Sequence, residues 1–188
     1  MKLLKGLFFT ALLLVTVFLV IGLFLPKTAH VERSISIAAS PATVFGLVDG
    51  FGRFNEWSPW ARLDPATKYS FSGPERGVGA RMEWRSDNPD VGVGSQQIVA
   101  VEPGRSVTST LDFGMGQPTT ATMVLQPEGA ATRATWTLET DFAGSLVGRY
   151  FGLVLDRMVG PDYEKGLARL QALAESTAPG AASPVSPP

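Results

Sequence analysis

The chain has 188 residues, 45% of them apolar, with 16 Lys and Arg against 17 Asp and Glu, no Cys and one His, His30. That length supports one hydrophobic core and leaves little for a second. The composition excludes disulfide scaffolds, thiol nucleophiles, Cys-based zinc sites and multi-His metal centres, so neither a metal nor a cofactor is expected.

Gly6 to Leu25, GLFFTALLLVTVFLVIGLFL, is an uncharged apolar run. As a helix at about 1.5 Å per residue it reaches roughly 30 Å, the hydrocarbon thickness of a bilayer. Lys2 and Lys5 precede it, and the positive-inside tendency places the N-terminus in the cytoplasm and everything after Pro26 on the extracytoplasmic, periplasmic side. A cleaved signal peptide is the rival reading, but its apolar part is usually shorter, and Lys27-Thr28-Ala29 puts Lys where a small residue is wanted. Residues 1–27 are therefore expected to form an uncleaved single-pass anchor. A tether from Pro26 to His30 would hold the following domain within about 20 Å of the membrane. Without Lys2 and Lys5 the balance is 14 basic against 17 acidic residues, which argues against nucleic acid and against an anionic lipid surface as the main partner.

Past the anchor, Val31 to Ile37 alternates apolar with polar and reads as a strand. Ser40-Pro41 then supplies an N-cap and a first helical residue for a helix through about Val48. Phe51 to Trp57 reads as a second short helix, closed by Ser58-Pro59 because the residue before Pro is pushed out of the helical region. Six more strands are expected at 68–72, 80–85, 95–101, 106–113, 119–126 and 132–140, separated by Gly- and Pro-rich turns. The inward sets are Ala80, Met82 and Trp84; Val107, Ser109, Leu111 and Phe113; and Ala134, Trp136 and Leu138. Arg33 shares the parity of Val31, Ile35 and Ile37, and an inward Arg needs a carboxylate or ligand partner unless it snorkels to water. After Gly144 the period becomes helical, with Leu146, Val147, Tyr150, Phe151, Val154, Leu155, Met158 and Val159 as an apolar stripe that Leu167, Leu170 and Leu173 continue. Gly160-Pro161 should kink the helix or force it to restart near Asp162. Residues 176–188, STAPGAASPVSPP, read as a disordered tail.

This order is the helix-grip arrangement: an α+β fold with a curved antiparallel seven-stranded sheet around a long C-terminal helix, preceded here by one transmembrane helix. The run Gly73 to Trp84 (GPERGVGARMEW) resembles the Gly-rich hairpin and strand of the SRPBCC, or START-like, superfamily in its polyketide cyclase/dehydrase and lipid-transport branch. So do Asn55 to Trp60 (NEWSPW), Gly94 to Ile98, Val101-Glu102-Pro103, Thr132 to Trp136 and Asp162 to Leu170. The resemblance covers Val31 to about Glu175. It implies an apolar cavity between sheet and long helix, usually for a hydrophobic small molecule or lipid. Candidate lining residues are Trp57, Trp60, Tyr69, Phe71, Met82, Trp84, Phe113, Met123, Trp136, Tyr150, Phe151, Val154 and Met158, with Trp57 and Trp60 bordering the mouth. Gly148, Gly152 and Gly160 would leave volume unfilled on the helix. For each lining residue the alternative is ordinary core packing.

The expected role is a membrane-anchored binding or carrier domain for that hydrophobic molecule, lipid-like or polyketide-like. The alternatives are a cyclase- or dehydratase-like enzyme, which needs a polar group beside the reacting carbon, and a closed-core interaction module. No catalytic residue is assigned: His30 falls in the tether, and Glu56, Asp112 and Asp141 belong to no recognisable pair. Gly77-Val78-Gly79 and Gly92-Val93-Gly94 lack the G-x-G-x-x-G context of a nucleotide loop and read as turn glycines.

Overall fold

The computed structural model describes residues 2–114 and 116–177. Helix α1 spans Lys2–Phe24 and is long and apolar enough to cross a membrane. Strand β1, Thr28–Ile37, follows after three residues. The tether is thus shorter than expected, because the alternation extends back through Ala29, which is buried. His30 consequently lies within the sheet, 3.4 Å from Glu139 on the neighbouring strand.

Helix α2, Pro41–Val48, begins where Ser40 accepts a hydrogen bond from the Thr43 amide, and it buries Val44, Leu47 and Val48. Helix α3 is a single turn, Phe54–Trp57, shorter than expected, followed by a 3-10 turn at Trp60–Arg62. The remaining strands are β2 (Lys68–Ser72), β3 (Arg81–Arg85), β4 (Val93–Glu102), β5 (Ser106–Asp112), β6 (Thr119–Glu128) and β7 (Ala131–Asp141). They form one antiparallel sheet in the order β1-β7-β6-β5-β4-β3-β2, so the chain crosses from one edge to the other between β1 and β2 and then returns strand by strand. A register shift between Ile98 and Ala100 in β4 lets Ile98 and Val101 both face inward, and such a bulge bends a sheet. Gly94, expected in a turn, lies in β4, where a Cβ would strike the Trp84 indole.

Helix α4, Leu146–Thr177, closes the concave face and continues through Pro161 as one element rather than restarting. Ser176 and Thr177, the first residues of the expected tail, are its last turn; the rest of that tail lies outside the described residues. Two contacts hold α4 in place. Arg33 on β1 lies against Gly160, where a Cβ would collide with its guanidinium, and pairs with Asp156 at 2.8 Å and Glu164 at 2.7 Å, one helical turn to either side. Its inward parity therefore ends in two carboxylate partners. Hydrogen bonds to Asp156 and Glu164 raise the guanidinium pKa, and the Asp156 carboxyl is held below its usual range by Arg33.

Further along, Tyr163 stacks on Trp136 of β7 with ring centroids 3.8 Å apart and planes at 9°. Gly166 allows that approach, since a Cβ there would meet the Trp136 ring and Pro59. Trp57 and Trp60 meet the Trp136 ring edge-on at 5.3 and 6.0 Å, and Arg169 donates to the Ser58 carbonyl at 2.9 Å. Trp136→Ala removes the centre of this cluster and should lower the unfolding free energy by about 3–5 kcal/mol. Guanidinium denaturation followed by circular dichroism measures it; a loss below about 1 kcal/mol would mean that the cluster does not hold the helix.

Candidate functional site

Between the sheet and α4 lies a cavity of about 270 Å³. Its floor is the inward face of the sheet: Tyr69 from β2, Met82 and Trp84 from β3, Gln96 from β4, Leu111 from β5, Phe113 just past it, and Leu138 from β7. Its roof is Phe54, Asn55, Ser58 and Trp60 from the short helical segments, with Val159 and Tyr163 from α4. Asp90 and Phe113 are the exposed members of this wall and mark the mouth. There the Trp84 indole donates to the Val91 carbonyl at 3.2 Å and meets Phe113 edge-on at 5.9 Å. The neighbouring turn is braced by Ser86, which donates to Asp64; that bond, with the Ala66 amide, holds the Asp64 carboxyl below its usual range.

Of the candidates named from sequence, Trp60, Tyr69, Met82, Trp84 and Phe113 lie on this wall. The others do not. Trp57 is 3% exposed and donates to the Leu47 carbonyl, a core plug away from the mouth. Trp136 is covered by Tyr163, which takes its place on the wall. Met123 is buried between Val107 and Trp136 of the flanking strands. Phe71 stands exposed on the edge strand β2. Tyr150, Phe151, Val154 and Met158 belong to other faces of α4, because the face turned to the sheet carries Leu155, Tyr163, Leu167 and Leu170. Nor do the helix glycines enlarge the cavity: Phe142 packs against Gly148 and Gly152, and Arg33 against Gly160.

The inner wall carries polar groups that sequence reading missed. Gln96 is 7% exposed, flanked in register by Met82 and Leu111, and its Nε2 is buried without a hydrogen-bond partner among the described residues. Asn55 Oδ1 is buried and unpartnered likewise. Tyr163, 2% exposed, makes no hydrogen bond through its hydroxyl among the described residues, and burial pushes its pKa far above the usual tyrosine range. Gln96 was legible in principle, since it shares the inward parity of Ile98. Asn55 was not: it sits in a one-turn helix whose orientation no periodicity reports.

The carboxylates singled out from sequence serve elsewhere. Glu56 pairs with Arg53 at 2.7 Å, which lowers its pKa, while Asp112 and Asp141 accept from the turn amides of Gly114 and Ala143. Among the described residues no group of three or more His, Asp or Glu side chains is placed to hold a metal.

Tyr163 makes a pH prediction. Its folded pKa is raised above the unfolded value of about 10, so the folded state binds the proton more tightly, and the resulting stability is complete below that pH and lost as pH rises above it. Melting temperatures recorded from pH 8 upward should therefore fall steeply above about pH 10. In Tyr163→Phe the fall should be shallower; identical alkaline limbs would place the effect on other groups.

The model of the family described as polyketide cyclase / dehydrase and lipid transport matches residues 28–175. Norcoclaurine synthase from Thalictrum flavum, solved in complex with dopamine and hydroxybenzaldehyde, superposes with a TM-score of 0.63 at 14% identity, over 81% of this chain and 89% of that one. Ara h 8.0201 does so at 0.56 and 12% identity, over 80% and 99%. A protein from Mycobacterium smegmatis does so at 0.55 and 18% identity, over 79% and 92%. At such identities the likeness is one of fold. No curated protein sequence matches the chain.

Proposed function

Because the chain belongs to the polyketide cyclase, dehydrase and lipid-transport family, we propose that it binds or carries a hydrophobic small molecule in the cavity between sheet and α4. The supporting observation is an apolar hollow whose inner wall keeps two buried amide groups unpaired, Gln96 Nε2 and Asn55 Oδ1. An unsatisfied buried polar group costs about 1–3 kcal/mol, a cost that a bound partner would relieve.

The same features describe the ligand. The volume is just under the usual range of about 300–1,000 Å³, which suits a body of about one or two rings or a short acyl chain. A carbonyl or hydroxyl on that body would accept from Gln96, and a hydroxyl would donate to Asn55. Aromatic faces at Trp60, Tyr69 and Trp84 suit a flat apolar ring. Norcoclaurine synthase, which has a similar fold, was solved in complex with two ring compounds, dopamine and hydroxybenzaldehyde. The amides and the Tyr163 hydroxyl are groups that can hydrogen-bond a polar atom on such a ligand.

Helix α1 is read as an uncleaved anchor that holds the domain on the extracytoplasmic side. Intact-mass analysis that retains Met1 or Lys2, together with activity of a C-terminal reporter that works only outside the cytoplasm, tests that reading. A mature start near His30 would replace the anchor with a signal peptide.

For the cavity, native mass spectrometry of the detergent-extracted chain should show a co-purifying apolar molecule, and an aromatic ketone probe should quench Trp emission saturably. Gln96→Leu should weaken that probe about tenfold, the loss of one hydrogen bond, while leaving the free protein as stable or more so. Trp60→Ala should weaken the probe too, at a stability cost smaller than that of Trp136→Ala because the ring is only partly buried. If no probe binds and nothing co-purifies, the cavity is not a ligand site and the reading as a closed interaction module replaces it.

A further inference from the structure

The outward side of the first half of α4 is apolar and uncovered. Val147, Phe151, Val154 and Met158 follow one another at helical spacing and are all exposed, Val147 by 69% and Met158 by 55%. They lie away from the face that buries Leu155, Tyr163 and Leu167. A helix that faces water puts polar residues on that side. The later turns of α4 do so, since the same stripe runs on into Asp162 and Lys165, which pair at 2.9 Å. The apolar part is confined to the half that starts beside α1.

That half is fixed against α1. Arg149, 8% exposed, donates to the carbonyls of Gly22 at 3.1 Å, Leu23 at 3.3 Å and Ala143 at 3.0 Å. The first two belong to the last turn of α1, whose carbonyls have no donor within the helix, and the negative end of the helix dipole faces the guanidinium. Tyr150 stacks on Phe18 at 4.3 Å and donates its hydroxyl to the Phe18 carbonyl. Gly22 leaves room for Leu146 and Tyr150, and three residues join α1 to β1, so the junction has little freedom. If the apolar run ending at Leu25 fills the hydrocarbon layer, Phe18 lies about 10 Å below the membrane surface at 1.5 Å per residue, and it brings Tyr150 to that depth.

We propose that the first turns of α4 are a membrane-apposed helix, with Val147, Phe151, Val154 and Met158 lying against the lipids of the leaflet in which α1 ends. The occupant of the stripe is the bilayer itself, continuous with the lipid around α1. The inference rests on α1 being an uncleaved anchor. It also orients the cavity. Antiparallel pairing puts the starts of β1, β4 and β6 and the ends of β3, β5 and β7 at one end of the sheet. Phe113 and Val91 at the mouth therefore share that end of the sheet with the α1–β1 junction.

The chain has no Cys, so single Cys substitutions can carry an environment-sensitive fluorophore in the full chain reconstituted into phosphatidylcholine vesicles. Labels at Val154→Cys and Met158→Cys should be blue-shifted, lose most of their emission to doxyl-labelled lipid and resist iodide. A label at Lys165→Cys should behave in the opposite way. Circular dichroism matching the unsubstituted chain guards against misfolding. Labels at 154 and 158 that iodide quenches as strongly as at 165, in protein that co-floats with vesicles, would overturn the proposal. Shielding from both quenchers would also overturn it, by showing a protein partner on the stripe. Protein that fails to co-float would instead overturn the anchor reading, and this inference with it.

Discussion

The stack of Tyr163 on Trp136 is the contact around which the domain is arranged. A concave sheet with a long helix laid over it closes only if something spans the gap, and here two rings 3.8 Å apart do so. The approach depends on Gly166, because any Cβ at that position would meet the indole. Trp57 and Trp60 lean edge-on against the same ring from the segment NEWSPW, with Arg169 holding the Ser58-Pro59 step to the helix. Two indoles either side of Ser-Pro thus have different duties: Trp57 completes the core, and Trp60 becomes wall.

The hollow is a consequence of that stack. Tyr163 fills the space beside Trp136 and presents its other surroundings to the cavity, so the contact that secures α4 is also the back wall of the site. The rest of the wall includes Gln96, Asn55 and the side chains of Tyr69 and Trp84. Buried amides without partners oppose folding, whereas apolar side chains there would have closed the space at a gain in burial. A stable core alone does not account for them, and they are the observation on which the proposed ligand site rests.

Arginine does the remaining work of placing α4. Arg33 reaches across Gly160 to two carboxylates, which matches charge with charge at a partly open site. Arg149 is held by backbone carbonyls, two of them at the end of α1, and so ties the candidate membrane helix to the domain rather than to a flexible linker. The first contact sets how the helix lies on the sheet, and the second sets how the domain sits relative to α1.

The strands, their inward faces, the Ser40 cap, the apolar N-terminal helix and the family were legible in the sequence, because period-two alternation, capping chemistry and apolar length are local properties. The chain length that separates the members of the site is not local. Gln96 shares one cavity with Asn55 and Tyr163 only through the pairing of the strands and the rotation of α4 about its axis, and neither is encoded in any short window. The hardest case was the apolar stripe of α4. Tyr150, Phe151, Val154 and Met158 read as cavity lining because an apolar residue on a helix signals burial without saying in what. Hydrophobic attraction has no direction, so an apolar face that packs on the core and one that stays uncovered look alike in sequence. Only the packing of Leu155, Tyr163 and Leu167 against the sheet decided which face was which.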